Sequence, residues 1–258
     1  MKAKTHSTAK PTHYNEMAKY YDEFNEKRSA TTNATIEKIL KKYKVKSVLD
    51  LTCGTGSQVF WLLKRGFYVV GCDINAKMLK IAKAKAKQEK LDINFHKGDM
   101  RTSKIGSFDA VLTIFNAVGH LTKKDFTRAM KNIAHNLKPK GLYVFDIFNL
   151  TYLKKDNNIT KLTIDRQEVS GAKLIRKIQY STISKDGVLA SFTTRCEQEG
   201  EGRAKLSKDV KTLQVYTKEQ LGEMLLEAGF KVLSVQGIDG GKFFESKSER
   251  MLVVATRN

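Results

Sequence analysis

The stretch Val48-Leu49-Asp50-Leu51-Thr52-Cys53-Gly54-Thr55-Gly56 decides the fold. An apolar-rich run ends in an acid, a pair of glycines follows at once, and a helix-compatible segment, Gln58 to Arg65, comes next. A buried parallel strand, a tight turn and a helix start read this way. Gly54 and Gly56 present no side chain where a ligand would approach the backbone, and the helix start offers amide donors.

The next apolar run, Tyr68-Val69-Val70-Gly71-Cys72-Asp73, also closes on an acid. In a strand–helix–strand unit Asp73 reaches the same sheet edge as the glycine turn, where open α/β sheets bind ligands. A carboxylate there can accept from both hydroxyls of a ribose. The turn lacks the G-x-G-x-x-G pattern of nicotinamide dinucleotide sites, because Val59 stands where the third glycine would fall. Glycine pair and acid together point to a nucleoside-bearing cofactor.

On these residues the chain resembles the class I S-adenosylmethionine-dependent methyltransferases. Asp50-Leu51-Thr52-Cys53-Gly54-Thr55-Gly56 looks like their first motif, D/E-x-x-x-G-x-G, and Asp73 matches their ribose-gripping acid. Gly98-Asp99-Met100 looks like the third piece, and Phe108-Asp109-Ala110-Val111 resembles the start of their fourth strand. Leu137-Lys138-Pro139-Lys140-Gly141-Leu142 resembles the turn into the fifth, with Lys140 in place of the first glycine of L-x-P-G-G. Five pieces in order are more specific than any one of them. The resemblance implies S-adenosyl-L-methionine as cofactor. It also implies an α/β, Rossmann-like seven-stranded sheet whose last strand is antiparallel. Gly54 and Gly56 would meet the methionine part, Asp73 the ribose, and Asp99 the adenine amino group. Ile74 and Met100 would sandwich the ring, Asp50 would orient the glycine turn, and Asn116 would contact cofactor or substrate.

A chain of 258 residues can bury a full core and reads as one domain with an elaboration. No apolar run approaches a membrane span, and no apolar stretch follows Met1-Lys2-Ala3-Lys4 as in a secretory signal. Cys53, Cys72 and Cys196 show no metal-ligand spacing, so no metal is expected. Their odd number suits a reducing compartment, and a cytoplasmic protein is expected. The formal net charge of +20 permits attraction to RNA, DNA, anionic lipid or acidic metabolites without choosing among them. Lysine far outnumbers arginine, whereas groove-reading surfaces favour arginine forks interleaved with aromatics. A solvated lysine surface is the first reading.

Taken in order, residues 1–13 read as a flexible arm whose histidines need no role. Tyr14, Met17, Ala18 and Tyr21 recur at helical intervals, giving either a helix packed on the body or a lid over the cofactor; residues 1–30 form this unit. Core helices are expected over Asn33–Tyr43, Asn75–Lys90 and Lys123–Leu137. Core strands are expected over Ser47–Leu51, Phe67–Cys72, Asp92–His96, Ala110–Ile114 and Leu142–Ile147. Over 151–216 the rhythm changes. Thr160–Ile164, Lys173–Ser184, Leu189–Glu197 and Lys208–Tyr216 read as strands, with a hairpin at Lys185-Asp186-Gly187. An inserted antiparallel sheet over the pocket mouth is therefore expected. Its basic residues Arg166, Lys173, Arg176, Lys177, Arg195 and Arg203 suggest an anionic acceptor. The core (31–150) resumes over 217–258, with a capping box at Thr217–Gln220 and strands at Lys231–Val235 and Arg250–Ala255.

In the implied reaction the sulphonium methyl is already activated, so the protein must align a nucleophile and exclude water. A missing acid–base pair is no objection. His120, past the fourth strand, is the candidate general base or else a loop-fixing residue. Tyr21, closing over the sulphonium, is the second catalytic candidate. Asp146, Asn149 and Arg195 are candidate substrate ligands. Ile114-Phe115-Asn116-Ala117-Val118 is not the N/D-P-P-Y/F loop of adenine-amino methyltransferases, and no Pro-Cys pair occurs. A small-molecule acceptor methylated on nitrogen or oxygen therefore leads. RNA methylation and a non-catalytic cofactor-binding module are the alternatives, and a homodimer is open.

Overall fold

A computed structural model describes residues 5–15, 18–155, 163–169 and 173–258. Its main body alternates helix and strand: α1 (Tyr21–Lys42), β1 (Ser47–Asp50), α2 (Ser57–Leu63), β2 (Tyr68–Asp73), α3 (Ala76–Gln88), β3 (Phe95–Lys97), β4 (Phe108–Thr113), α4 (Lys123–His135) and β5 (Leu137–Phe148). A short α5 (Leu150–Lys154) leads to β6 (Thr163–Val169), β7 (Lys173–Ile183), β8 (Val188–Glu199) and β9 (Lys205–Gln214). The chain then returns through α6 (Lys218–Glu227), β10 (Phe230–Gln236) and β11 (Arg250–Arg257).

Seven strands form one sheet in the order β10-β11-β5-β4-β1-β2-β3. Strands β1 to β5 pair in parallel, and β11 runs antiparallel to both neighbours. The expected Rossmann-like sheet with a reversed last strand is borne out. Alternation along each strand divides the core between two faces. Leu49, Val70, Val111, Tyr143, Phe145 and Val253 pack with α4 and α6 residues such as Phe126 and Leu225. Val48, Val69, Leu112, Val144 and Val254 pack with α1, α2 and α3 through Ile36, Leu40, Val59 and Leu79. Strand order reverses between β1 and β4, so a crevice opens at the carboxyl ends of these strands.

Three sequence expectations change here. The helix over Asn33–Tyr43 begins much earlier, at Tyr21, so residues 21–30 belong to it. Tyr14 lies in a turn before a 3₁₀ segment at Ala18–Tyr20 rather than on one continuous helix with Tyr21. Strand β3 starts at Phe95 rather than Asp92 because only residues from Phe95 pair with β2.

The inserted sheet has four antiparallel strands in sequence order. The first begins inside the expected Thr160–Ile164 stretch, whose first residues lie outside those described, and the fourth starts at Lys205 rather than Lys208. Gly187 turns the β7–β8 hairpin with φ +76°, where an added Cβ would meet the Val215 carbonyl oxygen at 2.5 Å. Leu189 and Val215 join Leu150 and Leu153 in a small apolar cluster that fixes this sheet to α5. Among the described residues no helix is long and apolar enough to cross a membrane.

Candidate active site

The glycine turn forms as its residues dictate. Gly54 (φ +53°) and Gly56 (φ +92°) both occupy left-handed backbone, which only glycine adopts freely. A Cβ built on Gly54 would meet nothing closer than Met78 Cε at 4.0 Å, so that side of the turn opens into the cavity. Asp50 lies beneath it, 2% exposed, accepting from the Thr52 amide at 3.1 Å. Burial pushes the Asp50 carboxyl up to about 7, and the neighbouring Asp73 adds to this.

Asp73 ends β2 and accepts from the amides of Gly54 (2.8 Å) and Asn75 (2.7 Å). Asn75, not Asp73, caps α3, accepting from Lys77 and Met78. Burial raises the Asp73 carboxyl while these amides oppose the rise. The Ile74 amide adds to these two, and a carboxylate with four acceptor positions still has room to accept from a hydroxyl. Asp99 differs. Arg101 donates its backbone amide and Nε to one oxygen and Nε and Nη2 to the other, at 2.6–3.0 Å. Burial alone would raise Asp99, but these bonds and the Arg101 charge hold it below the usual range. An adenine amino group could bind Asp99 only by displacing part of that fork. Ile74 and Met100 line the same cavity, one after β2 and the other beyond β3.

The N-terminal segment, expected to be flexible, is docked. Ala9 N donates to His120 O at 2.9 Å. Thr8 donates to Asp125 and accepts from Thr122 N. His6 bridges Leu121 O (3.0 Å) and Thr212 Oγ1 (2.9 Å), joining this arm to the inserted sheet. The Asn75 side chain donates to Pro11 O at 2.9 Å. The arm therefore roofs the cavity with Thr8, Pro11, His13 and Tyr14. At the start of α1, Asp22 accepts from Thr55 Oγ1 (2.6 Å) and Lys85 (2.5 Å), tying the helix to the glycine turn.

His120 and Tyr21 both line the cavity. His120 Nε2 lies 2.7 Å from Tyr14 OH, Nδ1 is buried without a partner among the described residues, and His13 packs edge-on at 4.9 Å between ring centroids. Burial, aided by His13, Lys211 and His6, lowers His120 to about 3. Tyr21 stands edge-on to Tyr14 at 5.7 Å, and burial raises its hydroxyl to about 12.

Four sequence-chosen residues stand away from this cavity. Asn116 has φ +59°, which turns its side chain under the loop, where its Oδ1 accepts from Phe148 N at 3.1 Å; its neighbours Ile114, Phe115 and Ala117 line the cavity instead. Asp146 is fully buried, paired with Arg250, and accepts from Asn116 N. Asn149 caps α5 and donates to the carbonyls of Glu245 (2.7 Å) and Ser248 (2.8 Å). All three hold the loop and insertion in place. Arg195 sits on β8 beside Glu197 at 3.5 Å, outside the cavity wall. Side chains of Arg166, Lys173, Arg176 and Lys177 lie outside the described residues. Sequence reading placed Arg101 at the adenine side and Tyr14 on the lid face without the bonds each makes, to Asp99 and to His120, and it missed Gln58. For Gln58 a signal existed: a polar residue among Val59, Phe60 and Leu62 on a buried helix.

The cavity thus brings together the glycine turn, the Asp73 carboxylate and, among the described residues, polar atoms without partners at Thr52 Oγ1 and both Gln58 amide atoms. Those residues fit S-adenosylmethionine. Residues 48–141 match the methyltransferase domain family. A protein of Geobacillus sp. (strain WCH70), put forward by its name as a methyltransferase, is 28% identical over 250 residues, covering 95% of this chain and 99% of its own. The dTDP-3-amino-3,4,6-trideoxy-alpha-D-glucopyranose N,N-dimethyltransferase of Streptomyces venezuelae is 25% identical over 198 residues, covering 76% of this chain and 80% of that enzyme. The crystal structure of an S-adenosylmethionine-dependent methyltransferase from Clostridium acetobutylicum ATCC 824 has a TM-score of 0.78 at 18% identity, covering 95% of this chain and 99% of that one. By fold, the chain has the class I S-adenosylmethionine-dependent methyltransferase architecture, with a methyltransferase domain match over residues 48–141 and an antiparallel sheet inserted after its fifth strand.

Proposed function

We propose that the protein methylates an amine nitrogen of a small molecule held between the Tyr14–His120 pair and the cofactor. One observation carries this reading: His120, on the cavity wall past the fourth strand, is buried, bonded to Tyr14 and held to about 3. A hydroxyl acceptor needs a base to draw off its proton, and so weak a base gives little driving force. An amine that enters uncharged brings its own lone pair and sheds a proton to water afterwards. Bound S-adenosylmethionine supplies a methyl carbon already activated by its sulphonium. The protein's part is then positional: Tyr14 and His120 orient the acceptor, Tyr21 closes over the reacting centre, and the arm excludes water.

The relative from Streptomyces venezuelae is named for dimethylating an amino sugar nitrogen, which supports an amine acceptor. An anionic group on the acceptor finds support in Lys211 and Arg195, which lie on one face of the inserted sheet by register. The test is transfer of labelled methyl from S-adenosylmethionine into a cell extract split into small molecules, RNA and protein. Acid- and base-stable label in the small-molecule fraction is expected. Label confined to RNA would overturn the reading and give the basic surface that role.

A further inference from the structure

The sheet itself orients the cofactor. Asp99 lies beyond β3, Asp73 ends β2 and the glycine turn follows β1, and these three strands are adjacent in that order. With the ribose at Asp73, the nucleoside points toward β3. The opposite end must then cross β1 toward α2, about 5 Å further per strand. There the cavity wall is polar: Ser29 from α1, Thr52 from the turn and Gln58 from α2.

Gln58 is the unusual member. It is only 2% exposed, and neither amide atom has a hydrogen-bond partner among the described residues. Buried amides are almost always partnered, so an unpartnered one on a cavity wall needs an explanation. Its neighbours hold it rigidly: Val59, Phe60 and Leu62 are buried in the core, and Asn33 donates to Ser57 Oγ at 3.2 Å. A primary amide carries both donors and an acceptor. It matches a group that is carboxylate and ammonium at once.

We propose that Gln58 is the residue that holds the α-amino-carboxylate end of the cofactor, its Nε2 donating to the carboxylate and its Oε1 accepting from the ammonium. The inference rests on the cofactor site and is independent of the acceptor's identity. The test compares two ligands by calorimetry: S-adenosylhomocysteine, which has the amino acid end, and 5′-methylthioadenosine, which lacks it. In Gln58→Met, close in shape but apolar, S-adenosylhomocysteine is expected to bind about 10- to 100-fold more weakly, while 5′-methylthioadenosine changes less than about twofold. The melting temperature of the free variant should hold or rise, since two unpartnered polar atoms are removed. Equal loss for both ligands, or no loss for S-adenosylhomocysteine, would overturn the proposal. Should Gln58→Met not fold, Gln58→Glu gives the same comparison, its charge repelling the carboxylate. Failure of the cofactor reading itself would show differently, as absence of binding by either ligand to the unaltered protein.

Discussion

Asp73 and Asp99 both lie at the cofactor edge of the sheet, yet one carboxylate has room for a ligand and the other is engaged by Arg101. Cofactor recognition should therefore lean on Asp73. Asp99→Asn is expected to weaken S-adenosylhomocysteine by less than about tenfold in a calorimetric titration. His120 makes a prediction about pH. Unfolded, its ring titrates near 6.5; folded, near 3. Between those values the unfolded chain holds the proton and the native chain does not. The stability from a neutral His120 is thus complete above about pH 6.5 and is lost as pH falls toward 3. Urea unfolding should show the unaltered protein losing more stability than His120→Asn across that window. Equal slopes would sink this assignment. Asp73 was legible in sequence because a short motif carries it. Asp146 was not, because its partner Arg250 lies 104 residues away and no local pattern announces the pair.

At the scale of elements, the arm is the main departure from the sequence reading. Its residues are polar and carry no apolar period, so nothing local fixes them. They are ordered by hydrogen bonds to the 120–125 segment and to β9, which sequence does not bring together. Removing residues 2–13 should lower kcat/KM at least about tenfold, since the roof that excludes water is lost, while the core melts at nearly the same temperature. Unchanged turnover would exclude a role for the arm in closing the site. The capping box of α6 was legible, because Thr217 and Gln220 stand three residues apart and satisfy each other's backbone amides. Thr217→Ala should cost about 1 kcal/mol, a fall in melting temperature of about 2–4 °C for a chain of this size.

Across the whole molecule, the strand–helix rhythm exposed the seven-stranded sheet because its inner strands β1, β2, β4, β5 and β11 are buried along most of their length and read as apolar runs. The inserted sheet betrayed itself by breaking that rhythm and by its Gly187 hairpin. What stayed hidden was how the arm joins the loop after His120 to β9 through His6, a matter of long-range contacts. The charge of +20 is spread over exposed lysines such as Lys77, Lys80, Lys83 and Lys87 on α3. The cavity lining holds Tyr14, Tyr21, Asp50, Asp73, Asp99 and Gln58, with Lys10 and Arg101 beside them. The claim on which everything else depends is that Asp73 grips the cofactor ribose beside the glycine turn. It is tested most directly by titrating S-adenosylhomocysteine into the unaltered protein and into Asp73→Ala, each checked for native circular dichroism. One site per chain is expected in the first and an affinity at least about 100-fold weaker in the second, with no heat from a reduced nicotinamide dinucleotide. Equal affinity in the two proteins, or binding of the nicotinamide instead, would contradict it.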